Sequence, residues 1–303
     1  MSTIDPRRSS VRRMALLCFA LVLTVTTLSA FMRLSAAGLG CADWPHCYGA
    51  ALRAGAEPAL AQTGVVLARM LHRLAAVTVL VLALTMAAAS FLRSPRLQRE
   101  GWMSLGLIAL ALALAVLGRF TPGAKMPAIA IGNVLGGFAM LLLAWRIHRG
   151  AGPAARWSPA ALALMLLLIA QIALGVLVSA GYSGLSCTGF PGCGDAVDAS
   201  LALLDPTRIP VFDLTPPIHP QGAFAHLLHR ILGLAVALAV LFVAIGSWRR
   251  GQRSPAILLV ALLALQVALG LSLVFAELPL VSAIAHNLIA ALMLAAASEH
   301  TRS

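Results

Sequence analysis

Apolar runs of about 20 residues recur along the whole of this 303-residue chain, each long enough to cross about 30 Å of hydrocarbon as a helix. A chain built this way folds in a membrane. Eight spans are read at 14–36, 64–92, 102–119, 126–146, 159–180, 222–247, 255–275 and 279–298. Only 11% of the residues are charged and the mean hydropathy is +0.93, which excludes a water-soluble globule. The runs do not alternate apolar and polar residues, which excludes a transmembrane barrel. The first run, Met14 to Leu34, is longer than the apolar core of a cleavable signal, so none is expected. The fold class is therefore an all-α polytopic membrane protein.

The net charge of +12 would suit nucleic acid, but in so apolar a chain the distribution of Lys and Arg decides its meaning. With the N-terminus cytoplasmic, the inner side carries Arg7, Arg8, Arg12, Arg13, Arg93, Arg96, Arg99, Arg146, Arg149, Arg156, Arg249, Arg250, Arg253 and Arg302, most of the 22 basic residues. Arg33, Arg53, Arg69, Arg73, Arg119, Lys125, Arg208 and Arg230 remain, several of them within helix ends. The positive-inside rule thus places both termini in the cytoplasm of a bacterial cell and the chain in its inner membrane, surrounded by lipid and without a nucleic-acid partner.

Two outward loops are long, 37–63 and 181–221. One contains Cys41-Ala-Asp-Trp-Pro-His-Cys47 and the other Cys187-Thr-Gly-Phe-Pro-Gly-Cys193, both C-x-x-aromatic-P-x-C. The likeness extends to Met70-Leu-His-Arg-Leu74 and Leu227-Leu-His-Arg-Ile231, and to the helices that contain Gly132-Asn133 and His286-Asn287. An internal repeat follows. The expected architecture is two tandem four-helix halves, 14–150 and 151–298, related by an axis along the membrane normal, with a cytoplasmic segment 1–13 and tail 299–303. The cysteine pairs admit three readings. Structural disulfides suit the oxidising outer side and would each add about 2 kcal/mol by chain entropy. A redox-active dithiol is the second, and a metal site, against which the absence of C-x-x-C spacing weighs, is the third. Cys18 reads as a small apolar packing residue.

Histidines carry the chemistry. His148 and His300 fall on the inner surface or tail, where solvated positions are expected, and His46 and His219 in the outer loops. His72, His226, His229 and His286 lie in or at the outer ends of spans, where an ionisable group is costly and marks a site. His229 and His286 are each about seven residues into their helices, so both lie about 10 Å below the outer end. Two imidazoles at one depth on different helices suit axial ligation of a haem iron from opposite faces; the alternative is two unrelated polar residues bonded to neighbouring helices. His72 stands at comparable depth in the first half, but Gly132 or Asn133 occupies the place matching His286. His72 is either a sole protein ligand, leaving iron open to oxygen or substrate, or a hydrogen-bonding residue. Arg69, Arg73 and Arg230 either meet haem carboxylates or snorkel to lipid headgroups.

Arg33 through Gly49, with Gly38-Leu-Gly-Cys-Ala-Asp-Trp-Pro-His-Cys-Tyr-Gly49 at its centre, the paired cysteine loops and the His-Arg steps at spans two and six resemble the haem A synthase family over about residues 14–298. The resemblance implies an oxidoreductase that converts haem o to haem a, hydroxylating the C8 methyl successively to a formyl group for terminal oxidases. It implies a haem b held by His229 and His286, a substrate haem held by His72, and cysteine loops capping the two sites. Arg73, Arg230 and His226 are cofactor-binding candidates. By resemblance, a haem o synthase supplies the substrate, a ferredoxin or quinol pool the electrons, and a terminal oxidase receives the product. Two departures stand out. Where the family's usual E-x-x-H-R places Glu, this chain has Arg69, and the fourth-span His is absent. Arg69 itself, Asp43 and Glu57 are the nearby candidates for the missing role. An electron-carrying membrane cytochrome b, a haem-binding assembly factor without catalysis and a parallel-repeat transporter are the rivals.

Overall fold

Hydrocarbon offers backbone groups no hydrogen-bonding solvent, and a continuous helix satisfies its N–H and C=O groups within one segment. The computed structural model describes residues 6–49, 62–121, 125–150, 158–187, 189–190, 192–193, 199–213 and 218–301, and among them there is no strand. The helices are α1 (Pro6–Ala36), α2 (Gln62–Phe91), α3 (Gln98–Phe120), α4 (Pro127–Arg149), α5 (Pro159–Ala180), α6 (Ala223–Arg249), α7 (Arg253–Phe275) and α8 (Leu280–Ala297). All eight are long and apolar enough to cross a membrane. Proline opens α4 and α5 at positions where its missing N–H costs nothing, and Gly150, at φ 55°, closes α4.

α1 starts eight residues before the expected span because its Arg-rich turn is held on the surface by the chain itself. Arg7 donates to the carbonyls of Arg93 (2.8 Å) and Pro95, and Arg8 pairs with the buried Glu100 at 3.1 Å. Among the first four helices α1 packs on α2 and α4, α2 on α3, and α3 on α4; among the last four α5 packs on α6 and α8, α6 on α7, and α7 on α8. α1–α8, α4–α5 and α4–α8 contacts join the two sets. Gly136 and Gly137 lie inside an unbroken α4. A Cβ on Gly136 would stand 2.6 Å from Leu114 of α3 and one on Gly137 3.0 Å from Thr26 of α1, so both glycines serve close helix approach.

The start of α1 and the end of α8 lie at one end of the bundle. There His148 Nδ1 meets the Arg12 carbonyl at 3.1 Å, and Glu299 accepts from Trp145 Nε1 and Arg149 Nε, both at 3.0 Å. His300, expected to be solvated, is instead buried at 1% exposure. The turn Ser298–Thr301 folds back, and Ser247 Oγ lies 2.7 Å from His300 Nδ1, sealing the ends of α6 and α8.

The cysteine loops meet at the opposite end. The chain leaves α1 through Gly38 (φ 101°) and Gly40 (φ 82°), a conformation that suits glycine, and Gly49 N donates to Ala37 O at 2.9 Å to close the loop. The ring of Tyr48 packs between Trp44 and Tyr182, which in turn meets Phe212, with ring centres 5.4–5.6 Å apart. Gly184 N donates to Tyr48 Oη at 3.3 Å. Below them Arg33 of α1 donates to Ser179 of α5. Burial raises the Tyr48 phenol above its ordinary range and lowers the His219 imidazole, with the Gly181 carbonyl partly offsetting the latter.

Tyr48 is 2% exposed, so Tyr48→Ala is expected to lower stability by about 3–5 kcal/mol and Tyr48→Phe by about 1 kcal/mol, read as thermal unfolding in detergent. Burial holds the His219 imidazole below its ordinary value in the folded cap, whereas an unfolded chain takes up its proton below about pH 6.5. Stability is therefore expected to fall as pH drops through that value, and to fall less in His219→Asn.

Candidate functional site

α6 and α8 each place a histidine as their seventh residue, so His229 and His286 reach the same depth below the cysteine-loop end. Their rings face one another with centres 6.4 Å apart and planes inclined by 66°. A metal-bound imidazole nitrogen lies about 2 Å from its metal. With the ring centre about 1 Å further on, two rings on opposite sides of one metal stand about 6 Å centre to centre. The observed spacing fits that arrangement.

The surroundings of the pair are built twice on one plan. On α5, Gln171 Nε2 donates to the His229 carbonyl at 2.9 Å and lies 3.4 Å from His229 Nε2. On α7, Gln266 Nε2 donates to His286 Nε2 at 3.1 Å. One turn further along each helix is a glycine pressed to the same ring: a Cβ on Gly175 would stand 2.9 Å from His229 Cε1, and one on Gly270 3.3 Å from His286 Cε1. Both Nδ1 atoms and both glutamine Oε1 atoms are buried without a hydrogen-bond partner, a concentration of unmet polar capacity that points to a ligand between the helices.

The glutamines are polar neighbours of the pair that reading the histidines alone misses. Their signal is in the sequence as Gln171-Ile-Ala-Leu-Gly175 and Gln266-Val-Ala-Leu-Gly270, a carboxamide and a glycine repeated at fixed spacing inside two apolar spans.

The other candidate residues distribute as follows. His226 is buried, with Nδ1 3.1 Å from the Ser183 carbonyl. Arg230 turns its guanidinium onto the second cysteine loop, donating to the carbonyls of Cys187 (2.8 Å), Gly189 (2.5 Å) and Gly192 (3.1 Å). The loop is thereby tied to the residue next to His229. Cys41 is joined to Cys47 and Cys187 to Cys193 as disulfides, with Cα atoms 6.6 and 4.4 Å apart, while Cys18 is free and buried. Among the described residues no group of three or more His, Cys, Asp or Glu could hold a metal ion.

In the first half of the chain His72 is half-buried on the inward stripe of α2, in line with Ala68, Ala75 and Val79, whereas Arg69 and Arg73 are exposed on its flanks. The α4 place that matches His286 is filled by packing: Gly132 is set against Leu117 of α3, and Asn133 Nδ2 donates to Thr121 Oγ1 at 2.6 Å. Asp43 is exposed and lies 3.8 Å from His46; Glu57 lies outside the described residues.

The family described as cytochrome oxidase assembly protein matches residues 12–298. A haem A synthase of Shewanella oneidensis is 32% identical, over 90% of this chain and 90% of its own. Haem A synthases of Rhizorhabdus wittichii and Methylobacterium nodulans are 29% and 33% identical, each over 47% of this chain and 39% of its own.

Removing the Arg230 anchor is expected to loosen the second cysteine loop alone. Charged hydrogen bonds contribute about 1.5–3 kcal/mol, so Arg230→Ala is expected to let dithiothreitol open Cys187–Cys193 at about tenfold lower concentration, with Cys41–Cys47 unchanged. Mass spectrometry of alkylated peptides reads both.

Proposed function

This chain belongs to the family of cytochrome oxidase assembly proteins, and from that premise we propose that it acts as a haem A synthase, a multi-pass membrane enzyme that makes haem A for cytochrome oxidase. The observation that carries the site reading is the facing pair His229 and His286, at equal depth and at the spacing of two axial ligands. In this reading the substrate is haem o, delivered by a haem o synthase, and the C8 methyl is oxidised to a formyl group through successive hydroxylations. A haem b held by His229 and His286 supplies one-electron transfer when bound. The electrons come from a ferredoxin or the quinol pool, and a terminal oxidase receives the product.

The chain's own residues divide the work. Gly175 and Gly270 let α5 and α7 approach the two rings closely, because any larger side chain would meet the imidazoles. Arg230 and the Cys187–Cys193 loop close the cysteine-loop end above His229 and keep water from it. His72 is the protein's ligand to the substrate. Helix packing at Gly132 takes the place of a second imidazole, so His72 would be the one imidazole of this half to hold the substrate. Arg69 and Arg73, exposed beside His72, meet the substrate's carboxylates. The helices form two halves, 14–150 and 151–298, in a bacterial inner membrane with both termini cytoplasmic.

A second reading, a haem-binding assembly factor that does not oxidise its cargo, is favoured by Arg69, since a guanidinium cannot take the proton that a carboxylate there would accept.

Haem extraction from membranes co-expressing the chain with a haem o synthase decides between them. Haem a or its hydroxymethyl precursor is expected only with the chain present, whereas unconverted haem o beside a chain that still binds haem supports the assembly factor. His72→Ala is expected to abolish the product while sparing a low-spin haem signal, and His229→Ala or His286→Ala to remove that signal. Undiminished haem a from His72→Ala would place the substrate elsewhere.

A further inference from the structure

A cation stands where the two sets of helices meet. Arg33 lies in the last turn of α1, at the edge of an apolar span, where a guanidinium placed only to reach lipid headgroups would turn outward. It turns inward instead and donates to Ser179 on α5. Among the described residues no carboxylate pairs with it, and Ser179 is neutral, so its charge is left uncompensated. The side chain is half-buried, which leaves further donors within reach of a ligand.

The sequence explains the contact. Arg33 stands eight residues before Cys41 and Ser179 eight before Cys187, and between them Gly38-Leu39 matches Gly184-Leu185. The two partners hold one place in the repeated stretch, and they touch each other. The cation therefore lies at the junction of the two stretches and not at the lipid edge.

Below it is the histidine pair. Ser179 is one turn beyond Gly175, the glycine set against His229 Cε1, and so about 6 Å further toward the cysteine loops. Ala30 and Leu34 of α1, on either side of Arg33, share a packed cluster with Leu280, Ala283 and Ile284 in the first turns of α8, the helix that bears His286. Arg33 is thereby set between α5, which abuts one imidazole, and α8, which carries the other. Arg230 already gives its guanidinium to the Cys187–Cys193 loop, and Arg69 and Arg73 are exposed on α2.

We propose that Arg33 is the carboxylate anchor of the site at His229 and His286, a cation that the first half of the chain contributes to a ligand held in the second. This rests on reading that site as one for a tetrapyrrole, but not on how iron is ligated there. A tetrapyrrole is an apolar disc with carboxylates on one edge, and in a membrane that edge belongs at the watery end, the level at which Arg33 lies. A guanidinium meets a carboxylate through two parallel hydrogen bonds and matches its charge. The site is thus built to prefer a tetrapyrrole diacid to its ester.

The test uses metal-free protoporphyrin IX and its dimethyl ester, neither of which needs an axial ligand, titrated by porphyrin fluorescence into the purified full-length chain in detergent. The wild-type chain is expected to bind the diacid about 10- to 100-fold more tightly than the ester. Arg33→Gln is expected to lose that preference while binding the ester as before, and Arg33→Lys to keep part of it. Ser179→Ala removes the neutral partner and leaves the cation, so the preference is expected to remain. A loss equal to that of Arg33→Gln would make the contact a matter of helix packing and overturn the anchor. An indifferent wild-type chain, or an undiminished preference in Arg33→Gln, would overturn it too. Gly175→Leu crowds His229 and is expected to block the diacid; unchanged binding would show that the diacid sits elsewhere, and the assignment falls. The ligand reading fails separately, since a low-spin haemin signal that survives His229→Ala and His286→Ala overturns the pair as iron ligands whatever the diacid preference.

Discussion

Everything in this molecule depends on the price of an unpaired polar group in hydrocarbon. That cost makes each span a helix, and it makes every polar side chain inside the bundle informative. Thr24, Thr27, Thr78 and Thr85 return their hydroxyls to the carbonyl four residues back and so vanish as polar groups. Arg33 finds Ser179 on another helix, and Cys18 sits buried as an apolar residue would. At His229, His286, Gln171 and Gln266 buried polar capacity stays unmet on neighbouring helices, four such side chains gathered in one cluster.

The same constraint separates the two parts of the chain. α5 with α6 and α7 with α8 repeat one device, a Q-x-A-L-G helix facing a histidine helix, and the two devices bring their rings to 6.4 Å. In the first part the α3–α4 pair has lost both elements of that device to Leu114, Leu117, Gly132 and Gly136, which pack as ordinary helix contacts. Under the proposed function this asymmetry is what allows one site to hold a cofactor on two ligands and the other to bind and release a substrate on one. The cap of Trp44, Tyr48, Tyr182, Phe212 and Ile218 joins the first cysteine loop to residues of the second long loop.

Much of the fold was legible beforehand because the signal is long. A span of 20 apolar residues cannot be mistaken for a loop, and all eight expected spans are helices within a few residues, α1 apart. α1 runs further because Arg7 and Arg8 find partners at Arg93, Pro95 and Glu100 that no pattern of hydropathy contains. His300 was misplaced for the same reason: a tail reads as solvated until Ser247 is seen beside it. Arg230 has neighbours in sequence that suggest a carboxylate partner, yet its guanidinium holds three loop carbonyls that lie about 40 residues away.

The sequence by itself determined that the chain spans a membrane eight times, that its loops carry two matching cysteine pairs, and that His229 and His286 lie at one depth. Hydropathy and spacing are properties of local chain, and a helix converts spacing into depth at 1.5 Å per residue. Only the tertiary structure decided that the two rings face each other, that Gln171 and Gln266 attend them, and that packing closes the matching place on α4. Those facts depend on how helices rotate about their axes and which neighbours they choose, and that is fixed by side chains meeting across the bundle, not by any one span.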